Sequence, residues 1–223
     1  MRYLVLDTET TNQVTPKVVD VGWVEIDENL QVIDSFESLV DPEESISFAS
    51  SGIHGIVDAD VADAPTIEEL FTLVLPEPPK GVVQISHNIS FDFPLVKDYI
   101  EVVNPFCTLR AARRMYPELE NHQLSTLKYA LGLRKDQTAH RALADCWVTY
   151  DLLVRMVADS GKSLPEFIEE FAKPFLLDKV SFGKHKGERF ADLPGGYLKW
   201  ILGQDFDIDT VFTAETVMKE RGQ

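Results

Sequence analysis

Tyr3-Leu4-Val5-Leu6-Asp7-Thr8-Glu9-Thr10-Thr11 reads as an apolar strand that ends by presenting two carboxylates. Strand periodicity turns Asp7 and Glu9 to the same face. Acids that close a buried strand, with no Lys or Arg from Tyr3 to Pro16, must find positive charge elsewhere. The spacing alone does not carry this reading, because Asp41-Pro42-Glu43 repeats it in a loop-like stretch. The apolar residues in front of Asp7 make the difference.

Working outward, Val18 to Ile26 and Val32 to Val40 read as two further strands around the polar turn Asp27-Glu28-Asn29, which makes an antiparallel meander of three. Asp41 to Pro65 is a long acidic connection, too polar for core. Thr66 to Leu75 reads as a helix opened by Thr66-Ile67-Glu68-Glu69, and Pro76 to Pro79 breaks the chain. Val82 to Ser86 is a short apolar strand. Phe91 to Val103 has helical spacing, and Pro94 fits only a first turn, which puts Asp92 at the helix start. Helices are expected at Thr108 to Tyr116, Ser125 to Leu131 and Ala142 to Val157, the last with an apolar stripe of Leu143, Trp147, Tyr150, Val154 and Val157. The whole reads as an α/β chain, a mixed sheet covered by helices. Its character changes near Ser160: Ser163-Leu164-Pro165-Glu166 opens a short amphipathic helix with capping-box spacing, and a small module follows from Asp178.

Composition sets the outer limits. The 223 residues hold one full-sized core and an appendage, and no apolar run approaches the roughly 18 residues of a membrane span. Leu4 to Leu6 is cut off at once by Asp7, so a signal peptide is not expected, and Cys107 and Cys146 lack ligand-like spacing. A cytoplasmic protein with reduced cysteines is the expectation. A net charge of −16 argues against indiscriminate binding to nucleic acid or anionic membrane. The charge is uneven, however. Asp34 to Pro79 contains no Lys or Arg, whereas Arg110, Arg113, Arg114, Lys128, Arg134, Lys135 and Arg141 concentrate in one later stretch.

Three more residues join the opening pair as candidates. Asp92 follows the strand Val82 to Ser86 in His87-Asn88-Ile89-Ser90-Phe91-Asp92, and Asp145 belongs to the first turn of the long helix. His140 stands five residues before Asp145, about 500° of helical rotation, so the two reach one site only if His140 lies on the preceding loop. His87 also precedes an Asp by five residues, and spacing does not choose between the two histidines.

Together these residues resemble the DEDDh 3′–5′ exonucleases, a ribonuclease H-like family. Asp7-Thr8-Glu9-Thr10 corresponds to the first motif, His87-Asn88 to Phe91-Asp92 to the second, and His140-Arg141-Ala142 to Asp145 to the third. Ile53-His54-Gly55-Ile56 resembles a family element beside the substrate, and Phe182-Gly183-Lys184 to Trp200 resembles the C-terminal module of exodeoxyribonuclease X-like members. Thr11-Asn12 stands where the family often has Gly, a turn that Asn tolerates. The resemblance divides the chain into an exonuclease domain, 1–160, a helical linker, 161–177, and the small module, 178–223.

What the resemblance implies is specific. A ribonuclease H-like sheet carries Asp7, Glu9, Asp92 and Asp145 as ligands of two Mg²⁺ ions, with Mn²⁺ as a substitute, and the third motif selects His140 as general base. Thr10, His54 and Asn88 position the terminal nucleotide. The expected reaction is hydrolysis from 3′ ends of DNA, single-stranded or at duplex ends, with release of mononucleotides, in repair or replication. RNA trimming and a proofreading subunit bound to a DNA polymerase are the alternatives, and the oligomeric state is left open, a homodimer included. Elementary electrostatics agrees on the need for cations, since each close carboxylate pair costs about 4 kcal/mol at an effective dielectric near 20.

Overall fold

Five strands form one sheet among the described residues of the computed structural model, which cover 1–75, 79–134 and 140–222. Pro76, of the expected chain break, and Lys135, of the basic stretch, lie outside them. The strands are β1 (Arg2–Thr10), β2 (Val18–Ile26), β3 (Val32–Leu39), β4 (Lys80–Ser86) and β5 (Glu101–Cys107), in the order β3-β2-β1-β4-β5. β1 pairs antiparallel with β2 and parallel with β4; β2–β3 is antiparallel and β4–β5 parallel. The strand bearing Asp7 and Glu9 is therefore the centre of the sheet. Its Tyr3, Leu4, Val5 and Leu6 are buried, and each such residue contributes about 1.5–3 kcal/mol. That burial holds the acids at the end of β1 against their mutual repulsion.

The meander forms as expected, and its turn shows why. Asp27 Oδ1 accepts from the amides of Asn29 and Gln31, and Leu30 takes the left-handed conformation that closes the hairpin. β3 is the edge, exposed along most of its length, and Asp34 and Glu37 discourage pairing with another chain.

Three expectations are corrected. The helix begun near Phe91 is α4 (Ile89–Val96), and Glu101–Cys107 is a strand, not its continuation. Pro94 sits in the second turn, not the first; having no N–H, it leaves the carbonyl of Ser90 without its helical donor, and the helix stops two residues later. Beyond it, Val102, Val103 and Phe106 suit a strand, and β5 lies in register with β4 from Val83↔Asn104 to Ser86↔Cys107, after a register shift at Val82. Secondly, the acidic stretch after β3 supplies core: it forms α1 (Phe48–His54) and α2 (Asp58–Val61), and Ile46, Ile56 and Val61 are buried with Val19. Three buried apolar side chains spaced among acids, Ile46, Ile56 and Val61, suffice to cover Val19 of β2.

Thirdly, α7 (Ala142–Ser160) buries a different face from the expected stripe. Ala142, Cys146, Thr149, Leu152, Leu153, Met156 and Val157 are inside, whereas Leu143, Trp147, Tyr150 and Val154 are only half-buried. Small residues lead because the helix lies close on the sheet. Trp147 and Tyr150 meet edge-on at 5.8 Å beside it, Arg134 stacks 4.7 Å above Trp147, and the Tyr150 hydroxyl donates to the Leu30 carbonyl. The remaining helices are α3 (Ile67–Glu69), continued by a wide turn over Leu70–Val74, then α5 (Thr108–Met115), α6 (Leu124–Ala130) and α8 (Leu164–Ala172). At Ser163, where capping-box spacing is expected, Glu166 accepts from the Ser163 amide, and a full capping box forms at Thr66, with Glu69 accepting from the Thr66 amide and Thr66 from the Glu69 amide.

The chain divides into two compact units, Met1–Glu170 and Phe171–Gln223. In the second, α9 (Gly195–Leu202) packs on α10 (Ile208–Glu220) around Phe190, Leu193, Leu198, Ile201, Ala214 and Val217. Asp207 caps α10 by accepting from the amides of Asp209 and Thr210.

Candidate active site

Asp7 and Glu9 stand half-buried near the end of the β1–β2 pairing, where a register shift separates Glu9 from the last pair, Thr10↔Val18. Between them, Thr8 donates from both its amide (3.1 Å) and its hydroxyl (2.8 Å) to Oδ1 of Asp92, which lies buried in the first turn of α4. The second acid is thus tied to the first strand across 84 residues of sequence. Asn88 makes this possible by taking a left-handed conformation (φ 81°) between β4 and α4, a role Asn tolerates, and its Oδ1 accepts from Ser90.

Asp145 arrives on α7, whose docking depends on two residues of β2 that sequence reasoning missed. Gly22, opposite Asp7 in the ladder, touches the start of α7 so closely that a Cβ there would stand 2.5 Å from the Leu143 amide nitrogen. Cys146 Sγ donates to the Gly22 carbonyl at 3.1 Å. Asp20, opposite Glu9 and without solvent exposure, accepts through Oδ2 from Arg141 Nε (2.8 Å) and from the Ala142 amide (3.3 Å). It serves the open amides of the helix start, which Arg141 at the cap position does not. Both had a signal: an acid inside Val18-Val19-Asp20-Val21, and an isolated glycine in a strand, which marks close backbone approach.

The two histidines separate cleanly. His87 uses both ring nitrogens, Nε2 donating to the His122 carbonyl (2.8 Å) and Nδ1 paired with the Thr108 hydroxyl (3.0 Å), and burial pushes its pKa down to about 4. His140 is exposed, has a left-handed backbone (φ 68°) and donates its amide to Asp145 Oδ2 at 3.2 Å. Glu9, His140 and Asp145 each offer a donor atom within 4.8 Å of the others.

Electrostatics shows that the acids share one field. Burial raises the Asp7 carboxyl well above the usual range, and Asp92, Asp145, Glu9 and Asp20 raise it further. Burial, then Asp145, Asp20 and Asp92, bring Glu9 up to about 7, with Arg141 opposing. Asp92 also reaches about 7 through burial, against the Thr8 hydrogen bonds, and burial raises Asp145 against the His140 amide. Arg141 is already committed to Asp20 and Glu37. Carboxylate oxygens with one imidazole, short of positive charge, are a donor set for a hard divalent cation.

The substrate candidates are placed as follows. Thr10 is buried and donates to the Asn12 carbonyl. His54 accepts the Ile56 amide on Nδ1, which leaves Nε2 to donate to the Thr10 carbonyl at 3.3 Å, and burial lowers its pKa. Asn88 is exposed at the α4 start. Beside His140 and Asp145 opens a cleft of about 340 Å³, lined also by Gln123, Leu124, Ser125, Lys128 and Val148.

Residues 4–153 match the family model RNase_T, described as an exonuclease. The chain belongs to this exonuclease family. Exodeoxyribonuclease 10 of Escherichia coli (strain K12) is 29% identical to this exonuclease over 204 residues, 89% of each chain. The PolC-type DNA polymerase III of Caldanaerobacter subterraneus subsp. tengcongensis is 32% identical over 163 residues, 70% of this chain and 11% of the polymerase. Among solved structures, exonuclease X in complex with 5′-overhanging duplex DNA shares the fold with a TM-score of 0.61 and 27% identity, over 76% of this chain and 98% of that one. Since Met1–Glu170 is 170 of 223 residues, a match over 89% of the exonuclease necessarily runs into its C-terminal unit. Among the described residues no helix is long and apolar enough to cross a membrane, and both cysteines are free and buried.

Proposed function

We propose that this exonuclease hydrolyses DNA from 3′ ends, single-stranded or at duplex termini, and releases mononucleotides. The observation that carries the reading is the convergence of Asp7, Glu9, Asp92 and Asp145 at one site, where burial raises all four carboxyls and repulsion from Asp92 and Asp145 raises Asp7 and Glu9 further, with His140 at its rim. These four carboxylates would hold two divalent cations, Mg²⁺ or Mn²⁺. Bound there, the ions would supply charge neutralisation and stabilisation of the entering and leaving oxygens.

The chain's own residues do the rest. His140, on its loop and open to solvent, takes the proton of the attacking water on a ring nitrogen. The bond from water oxygen to phosphorus forms as the bond from phosphorus to the 3′ oxygen breaks. Thr8 holds Asp92 and Asp20 holds the start of α7, so the ligands are oriented before substrate arrives. His54 would act on the terminal nucleotide by fixing Thr10, while exposed Asn88 would meet it directly. The cleft beside His140 has the volume of a small-molecule site.

DNA is favoured by the relative matched over 89% of both chains, an exodeoxyribonuclease, and by the solved relative in complex with duplex DNA. The PolC-type match favours proofreading as a second reading, and co-purification with a polymerase is its test. For the main reading, 5′-labelled single-stranded and duplex DNA and RNA are incubated with the protein and Mg²⁺. A ladder shortening from the 3′ end of DNA, stopped by chelator, is expected; faster loss of RNA or internal cuts would overturn it.

A further inference from the structure

The negative charge of this chain is confined to one of its units. Met1–Glu170 holds 13 basic and 29 acidic residues, the full −16, whereas Phe171–Gln223 holds eight of each. Within the catalytic unit three cations of the basic stretch serve neighbouring acids: Arg114 pairs with Glu170, Arg134 with Asp151, and Arg141 with Asp20 and Glu37. An enzyme that draws in a polyanion gains little attraction there.

The C-terminal unit is different. Lys184, Lys186 and Lys199 are exposed and form no ion pair among the described residues, while Glu188 is taken by His185 and Asp178 by Arg189. Beside them lies a continuous set of rings. Trp200 is 45% exposed on α9; it stacks on Tyr197 (5.1 Å, 26°) and meets Phe206 edge-on (5.6 Å), and Phe206 stacks on Phe182 (4.3 Å). Tyr197, Phe182 and Phe206 are half-buried. The turn Gly183–His185 presses onto this set. A Cβ on Gly183, which has φ +62°, would stand 2.7 Å from the Tyr197 hydroxyl, and Lys184 Nζ lies 5.6 Å from the Tyr197 ring centre. Three exposed ammonium groups thus have no carboxylate partner among the described residues, with Lys184 over the Tyr197 ring and Lys199 next to Trp200 in the chain. Together with a supported ring surface they match the two needs of a single strand, phosphate neutralisation and a stacking partner for its bases.

We propose that Phe171–Gln223 binds single-stranded nucleic acid, bases stacking on Trp200 and its ring neighbours and phosphates meeting Lys184, Lys186 and Lys199. The unit is then the grip of an exonuclease whose catalytic unit repels its substrate; this rests on the nucleic-acid reading of the catalytic site.

The test is fluorescence anisotropy of the full-length protein with labelled oligothymidylate of about 15 nucleotides, in chelator so that nothing is cut. Trp200→Ala should weaken binding about fivefold to a hundredfold, the range for loss of one base–ring stack. Trp200→Phe should restore most of it. Lys184→Glu with Lys199→Glu should reduce the slope of log affinity against log salt by about 0.7 per lost phosphate contact. Wild-type affinity in Trp200→Ala, or equal weakness of the Ala and Phe variants, overturns the platform. Cleavage of a dinucleotide in Mg²⁺ is measured in parallel. A loss there equal to the loss of oligonucleotide binding would place the effect in the catalytic unit and also overturn it. Failure of the wild type to cut either substrate would sink the catalytic reading instead, while the chelator measurement still decides the platform.

Discussion

At the scale of single residues, the site assigns different work to groups that look alike. Four carboxylates stand in one field, yet Asp7 alone takes repulsion from all of Asp92, Asp145, Glu9 and Asp20. Asp7→Ala should therefore abolish cleavage under every divalent-metal condition, and substantial turnover in a clean preparation would remove the acids from the mechanism. His140 differs in kind. Replaced by Ala it should lower kcat about 10² to 10⁴, the usual worth of a general base, while the Mg²⁺ concentration for half-maximal rate stays put. A shifted Mg²⁺ requirement with little change in kcat would make His140 a metal ligand, a role its position beside Glu9 and Asp145 also permits. His87, with both nitrogens engaged, has no capacity left for either task.

At the scale of elements, the decisive contact is α7 on β2. The helix brings Asp145 and the loop bearing His140 to a strand that carries Asp7, and it can come that close only because position 22 has no side chain. Gly22→Ala should cost about 1–3 kcal/mol by overpacking, read as a fall in Tm, since the atoms it meets are backbone and cannot swing aside. Activity should fall further than the lost stability accounts for, because the helix that must move carries Asp145 and is led by the loop bearing His140. An unchanged kcat in a stably folded Gly22→Ala protein would refute this coupling. The same contact explains why the expected stripe on α7 was the wrong face. Hydrophobicity ranks Trp147 and Tyr150 above Ala142 and Cys146, but a close approach selects small side chains. Similarly, α10 was not read from Ile208 onward, since Ile208, Thr210, Val211, Thr213, Thr216 and Val217 are β-branched and resemble a strand.

At the scale of the whole molecule, charge governs stability as well as binding. Glu9 and Asp92 hold protons up to about pH 7 when folded, against about 4 for such groups in an unfolded chain. The folded state thus binds more protons between those values, and its stability falls as pH rises through the window. Chelator-treated protein should lose Tm from pH 4.5 to about 7.5, and Mg²⁺ should restore it most at the upper end. A Tm that rises over that range without metal, or that ignores Mg²⁺ at its top, would contradict the shared field.

By itself the sequence determined what is periodic or adjacent: the buried strand ahead of Asp7 and Glu9, the meander, the helix starts at Thr66 and Ser163, and the order of three motifs that resemble one family. Local chemistry decides those features, so they are written locally. Only the tertiary structure decided what lies next to what. Thr8 bonds Asp92 across 84 residues, Asp20 and Gly22 seat α7, and Arg114, Arg134 and Arg141 turn out to be occupied by carboxylates. Those pairings depend on strand register and on how closely a helix can approach a sheet, which no window along the chain contains. Tyr3 to Thr11 announced a need for a cation; the fold brings to it the acids and the histidine of the proposed catalytic site.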